Sequence, residues 1–153
     1  MIAERRFREQ VVAEALARFV HHNQTLMSSN ESYIMHPSAV ASALPDSLKA
    51  AGWLHDVIED SPPECPITPI RLVAAGISLF TATIVDIVSR TENETYERYI
   101  QRVATSGNRG AIEVKLADLR HNLRPGCPSS LRERYERAVP ILTAALETMI
   151  NGT

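Results

Sequence analysis

Ala50-Ala51-Gly52-Trp53-Leu54-His55-Asp56-Val57-Ile58-Glu59-Asp60-Ser61 sets an imidazole and a carboxylate side by side in an apolar run, and the rest of the chain is read from it. Leu48, Ala51, Leu54, His55 and Val57 follow helical spacing. One helix is therefore expected from near Pro45-Asp46 to Ser61, because Pro62-Pro63 and Pro66 cannot continue it. Glu59 lies one turn beyond His55, and Asp60 one turn beyond Asp56, so a second acidic pair stacks above the His-Asp pair. Burying an ionised carboxylate without a partner is very costly. A cation, a salt bridge or a metal ion is the low-cost remedy.

Working outward, no window alternates as a half-buried strand would, and helical spacing recurs throughout. Val12, Leu16 and Phe19 make one apolar stripe on a helix of roughly residues 3–20. A polar loop from Asn23 to Ser32 follows, and a short helix opens at His36-Pro37, where proline suits a first turn. Thr68-Pro69 reads as an N-cap with a first-turn proline, starting a helix to about Ala75. After Gly76 come helices over about 77–89, Tyr96 to Thr105 and Ala111 to Leu123. A last one spans 130–150, with Pro140 expected to kink or split it. The expected fold is all-α, an irregular bundle of short helices forming one domain over residues 1–153.

The composition narrows the function. With 153 residues, 44% hydrophobic and 22% charged, the chain has an ordinary globular balance, which excludes disordered and collagen-like classes. The net charge of −2 lacks the basic excess of a nucleic-acid or anionic-membrane binder, so neither partner is expected and any phosphate must be held locally. MIAERRFREQ has no signal-peptide run, and no window approaches a membrane span. Cys65 and Cys127 form no pair motif, so a reducing, cytoplasmic setting is expected with both thiols inert.

Three segments put polar residues where the pattern predicts burial: Tyr33-Ile34-Met35-His36-Pro37, Leu54 to Asp60, and Lys115-Leu116-Ala117-Asp118-Leu119-Arg120-His121-Asn122. In the last, Asp118 and Asn122 share a face, with Lys115 and His121 three residues to either side of Asp118. Imidazole nitrogen and carboxylate oxygen suit Mn, Fe, Co, Ni or Zn. Two neutral His and two Asp would neutralise a divalent ion and leave positions for water and phosphate.

The order His … His-Asp … Asp resembles the HD superfamily of metal-dependent phosphohydrolases. YIMHPSAVA, GWLHDVIEDSP and VKLADLRHNLR, over roughly residues 25–125, resemble the hydrolase domain of Rel/SpoT-type alarmone enzymes and the small alarmone hydrolases. The resemblance implies that His36, His55, Asp56 and Asp118 hold the metal, usually manganese, with Fe, Co, Ni, Zn and Mg as alternatives. It implies that Glu59 and Asp60 position and deprotonate the attacking water, and that Asn122 contacts the nucleotide. The implied reaction removes pyrophosphate from the 3′ position of guanosine tetra- or pentaphosphate.

The chain departs from that pattern twice. Basic residues usually stand some eight or nine places before the first metal His, where this chain has Met27 and Ser28. The usual Ala-Asp-Arg-Leu-His-Asn is here Ala117-Asp118-Leu119-Arg120-His121-Asn122. One place along a helix turns a side chain by about 100°, so the sequence does not decide whether Arg120 and His121 face the site. Tyr96, Tyr99 and Arg102 at helical spacing, and Arg124 just past Asn122, are alternative substrate contacts, with packing the competing role for the tyrosines. His21-His22 are expected to meet the carbonyl end of the first helix, Trp53 to be core, and Leu131-Arg132-Glu133-Arg134 to be an exposed face. The leading activity is guanosine 3′,5′-bis(diphosphate) 3′-pyrophosphohydrolase. A nucleoside monophosphate or NADPH phosphatase with the same metal site competes, as does a non-catalytic nucleotide- or metal-binding helical module. The oligomeric state is not legible.

Overall fold

The computed structural model describes residues 1–26 and 30–152 and is an all-α bundle. The expected substitutions Met27 and Ser28 lie outside the described residues. The helices are α1 Ile2–Val20, α2 Met35–Ser42, α3 Lys49–Leu54, α4 Val57–Asp60, α5 Pro69–Ala74, α6 Leu79–Val88, α7 Tyr96–Ala104, α8 Arg109–Asn122 and α9 Ser129–Asn151. Four starts are capped as their sequences dictate, with Thr68, Ser78, Thr95 and Asn108 each accepting a backbone N–H three residues on. Among the described residues, no helix is long and apolar enough to cross a membrane.

α8 organises the molecule because it is apolar on opposite faces. Ala111, Val114 and Ala117 join a core with residues of α1, α2, α3 and α6, including Ala13, Val40, Leu54 and Ile84. Ile112, Leu116 and Leu119 join a second core with Tyr99, Ile100 and Val103 of α7 and Leu142 of α9. Each buried Val, Leu or Ile side chain here contributes about 1.5–3 kcal/mol, and each Ala methyl less, so α8 is held from both sides. Asp118, one residue from Ala117 and Leu119, is thereby carried into the interior at 3% exposure.

Three expectations are corrected. Phe19 is 61% exposed; α1 buries Ala13, Ala17 and Val20, with Val12 and Leu16 packed beside them, so the stripe is rotated toward smaller residues. α9 is not split at Pro140, which is exposed, so that water can satisfy the carbonyl its missing N–H leaves free. The single helix expected through the His-Asp motif is broken: α3 ends at Leu54, and α4 starts at Val57. A new turn begins from Asp56, whose carbonyl accepts the Asp60 N–H at 3.0 Å.

α2 and α3 approach closely because residue 52 is glycine. A Cβ there would lie 2.8 Å from the Ala41 Cα and 2.8 Å from the Leu44 Cδ1. This contact brings His36, in the first turn of α2, beside His55 at the end of α3.

Candidate metal centre

Four side chains from three places in the chain meet in the interior. The Nε2 atoms of His36 and His55 are 3.0 Å apart. Asp56 Oδ2 lies 3.0 Å from His55 Nε2 and 3.6 Å from His36 Nε2. Asp118 Oδ1 lies 3.1 Å from His36 Nε2 and 3.6 Å from His55 Nε2. His36, His55 and Asp56 alone form a cluster able to hold a metal ion, their ligand atoms all within 4.8 Å of one another. His55 and Asp56 fall at the break between α3 and α4, both with right-handed helical dihedrals. Adjacent side chains on a helix leave the axis about 100° apart, and here the bonds to Gly52 O and from Tyr33 hold them so that both deliver donor atoms to one point.

The hydrogen bonds around the cluster determine where its protons sit. Gly52 O can only accept, so His55 Nδ1, 2.8 Å away, donates and the neutral ring keeps a lone pair on Nε2. Arg124 Nη1 can only donate, so His121 Nδ1, 2.9 Å away, accepts. His36 Nδ1, 2.7 Å from that same His121 nitrogen, therefore carries its proton, and its Nε2 also keeps a lone pair. Two imidazole lone pairs thus face each other at 3.0 Å and face one oxygen of each carboxylate at 3.0–3.6 Å. A cation must sit among them or a proton must take its place. Burial works to strip a proton from His55, but the carboxylates of Asp56 and Asp118 outweigh it and hold its affinity well above the usual range. For donors at about 2.1 Å from an ion, ligand spacings of about 3.0–3.4 Å follow; three of these edges, at 3.0, 3.0 and 3.1 Å, lie in that range and the two at 3.6 Å lie just beyond it. Further bonds aim the ligands, as at metal sites generally. Tyr33 donates to Asp56 at 2.5 Å, Lys115 Nζ to Asp118 Oδ2 at 2.6 Å, and Asn122 Nδ2 to Asp118 Oδ1 at 2.6 Å. Burial raises the Asp118 carboxyl, but the Lys115 ammonium beside it pulls it well below the ordinary range.

A cavity of about 300 Å³ opens onto the cluster. His36, Asp56 and Asp118 are in its wall, with Glu59, Tyr96, Tyr99, Asn122 and Arg124 of the expected residues. Glu59 accepts the Arg90 backbone N–H at 2.8 Å. Burial in the wall raises the Glu59 carboxyl above its usual value, against that N–H. Its expected companion Asp60 is not in the wall; its Oδ2 is 3.6 Å from Nδ1 of the fully buried His21, which donates to Gln24 at 2.8 Å. Only His22 meets the end of α1 with its ring, through Phe19 O at 2.9 Å.

Arg102 does not reach the cavity. Its guanidinium binds Glu94 at 2.8 and 2.9 Å and the carbonyls of Ile87 and Ser89, tying the α6–α7 loop. Tyr99 spends its hydroxyl on Val88 O, while the Tyr96 hydroxyl is buried without a hydrogen-bond partner among the described residues. Arg134, expected on an exposed face, instead lines the cavity, its guanidinium 5.0 Å from the Tyr96 ring centroid. Tyr135 and Cys127 join the wall too. The signal for Arg134 was present in the helical spacing Leu131, Arg134, Tyr135, but alternating charges masked it. Arg120 and His121 are absent from this wall.

The chain is 33% identical over 117 residues, 67% of its length, to a Synechocystis protein named probable guanosine-3′,5′-bis(diphosphate) 3′-pyrophosphohydrolase. It is 37% identical over 124 residues, 71% of its length, to the Haemophilus influenzae guanosine-3′,5′-bis(diphosphate) 3′-pyrophosphohydrolase. It is related to both. The matches cover 15% and 17% of those two proteins, so the chain corresponds to a small part of each. No protein-family model matches it.

Proposed function

We propose that this chain is a cytoplasmic, metal-dependent phosphohydrolase of the HD type that removes pyrophosphate from the 3′ position of guanosine 3′,5′-bis(diphosphate). Residues 1–153 act in it as one hydrolase domain. The observation that carries the reading is the convergence of two imidazole lone pairs and two carboxylate oxygens at one wall of a cavity. His36, His55, Asp56 and Asp118 would hold the ion, with manganese the first choice. When bound, such an ion lowers the pKa of a water and polarises a phosphoryl oxygen.

The remaining chemistry belongs to the chain. Glu59, raised by burial and anchored on the Arg90 N–H, accepts a proton from the attacking water. Asp60, one residue on, supports it through charge rather than contact with substrate. Water adds to the phosphorus bonded to the 3′ oxygen, that P–O bond breaks, and the departing oxygen takes up a proton. Lys115, Arg124 and Arg134 line the cavity and offset the substrate's phosphate charge within a chain of net −2. Tyr96 and Tyr135 offer aromatic faces to a base, and Asn122 stands beside Asp118 to meet the nucleotide.

Product release is to be measured over a panel of guanosine tetraphosphate, nucleoside monophosphates and NADPH, with Mn²⁺ and with EDTA. Pyrophosphate from the tetraphosphate, lost in Asp56→Ala by orders of magnitude, is the expected result. Orthophosphate from a monophosphate or NADPH would move the substrate assignment. Turnover of none of them with any divalent ion would overturn the enzyme.

A further inference from the structure

α8 has a second cavity on its other side, of about 570 Å³, larger than the one at the metal centre. Its floor is apolar and built of small residues, Ala39 from α2, Ala43 just past the end of α2 and Ala117 from α8, closed by Leu116 and by Leu146 of α9. Two arginines reach it. Arg109 is already paired with Glu113 at 2.6 Å. Arg120 is exposed and has no ion pair or side-chain hydrogen bond among the described residues. Glu113 also lines the cavity, its carboxylate offset by Arg109, and the last polar residue of the wall is His121. Its Nδ1 is occupied by His36 and Arg124, so the proton of the neutral ring is on Nε2, a donor with no partner among the described residues.

No lining residue is shared between the two cavities; α8 gives Lys115, Asp118 and Asn122 to one and Leu116, Ala117, Arg120 and His121 to the other. His121 is the bridge. One edge of its ring touches a proposed metal ligand at 2.7 Å, while the ring itself walls the second cavity.

We propose that this second cavity binds a small organic anion, a carboxylate or phosphate head on an apolar body, and that its occupancy is felt at the metal centre through His121. Arg120 and the His121 N–H receive the head, and the alanine floor with Leu116 and Leu146 receives the body. The volume falls in the range of small-molecule sites, and one unpaired cation beside an apolar floor selects for such an amphipathic anion over inorganic phosphate. A head group that pulls on the His121 ring alters how its Nδ1 accepts from His36, which orients one of the four donors. Binding here stands apart from the phosphohydrolase reading, whereas the coupling rests on the metal assignment.

Calorimetric titration of the metal-free protein with 4-phenylbutyrate tests the site. One-to-one binding is expected, at least tenfold weaker in Arg120→Glu and in Ala43→Trp, which fills the cavity from an exposed position. Arg134→Ala, in the other cavity, leaves it unchanged. Equal affinity in wild type, Arg120→Glu and Ala43→Trp, or equally tight binding of inorganic phosphate, overturns the site. The manganese affinity of the wild type is then measured with and without saturating probe. A several-fold shift is expected, with reciprocal tightening or weakening of the probe by Mn²⁺; no shift overturns the coupling. Loss of manganese binding altogether would reject the metal assignment and the coupling with it, leaving the titration arm to judge the site.

Discussion

Replacing Gly52 by Ala tests whether the close approach of α2 and α3 sets the spacing of the two histidines. Two effects oppose each other. Alanine in a helix is worth about 0.5–1 kcal/mol over glycine. The new Cβ, however, meets the Ala41 Cα at 2.8 Å and the Ala41 N at 3.0 Å, both backbone atoms, as well as the Leu44 Cδ1 at 2.8 Å. The Leu44 methyl can rotate away, but the α2 backbone cannot. Carbon contacts settle at about 3.5 Å or more, so the helices must part by roughly 0.7 Å. Overpacking of this kind costs about 1–3 kcal/mol. The net loss is about 1 kcal/mol, or a Tm lowered by roughly 2–4 °C for a chain of this size. The larger effect falls on the site, because His36 rides on α2 and His55 bonds the Gly52 carbonyl. A shift of that size in a 3.0 Å donor spacing should weaken manganese binding by about 10-fold or more, as loss of ligand-orienting contacts does elsewhere. Thermal unfolding and a manganese titration followed by electron paramagnetic resonance measure the two effects. A Gly52→Ala protein that is as stable as wild type and binds manganese equally well would refute the role given to this contact.

Manganese at a hundred times its dissociation constant should stabilise the EDTA-treated protein by about 2.7 kcal/mol, and His55→Ala should abolish the rise in Tm seen by scanning fluorimetry. Lys115→Met leaves the buried Asp118 charge without its cation and should cost about 3 kcal/mol or more in urea unfolding of the metal-free protein, with part of the loss recovered when Mn²⁺ is added. Glu94 is held down to about 2, chiefly by its bond from Arg102, against 4.5 for the free group. Its contribution is therefore present above pH 4.5 and is lost as pH falls toward 2, and Glu94→Gln should flatten the fall of Tm between pH 5 and 2.5. Arg134→Ala should raise KM for the tetraphosphate several-fold with little change in kcat, whereas Arg102→Ala should lower Tm and leave KM unchanged.

The bundle was legible because helical spacing recurs and prolines and glycines punctuate it. Thr68-Pro69 starts a helix where its chemistry says one starts, and the next three helices fall close to the spans expected, with Ser78, Thr95 and Asn108 as caps not picked out from the sequence. The four donors were legible as polar residues in apolar surroundings. Their chemistry in that order announced a shared centre, and their side chains do meet. What periodicity hid was the corner at His55-Asp56, since apolar residues run through it at helical spacing and only tertiary packing bends the chain there. Arg102 and Arg134 were exchanged in role for a similar reason. Both lie on helices at plausible spacing, but the acid that captures Arg102 comes from the preceding loop, and the ring that draws Arg134 inward comes from α7. Neither partner lies on the same helix as the arginine that it holds. His121 could be placed beside Asp118, but its contact with His36 spans 85 positions and no local pattern encodes it.

The corner between α3 and α4 limits how this centre could be rebuilt in another protein. Copying the His-Asp dipeptide alone onto an ordinary helix would leave the two groups starting roughly a quarter-turn apart, with nothing to turn them toward one ion. The transplantable unit is the dipeptide together with its bend, with a glycine carbonyl three residues upstream to fix one ring and a tyrosine hydroxyl from a neighbouring segment to fix the carboxylate.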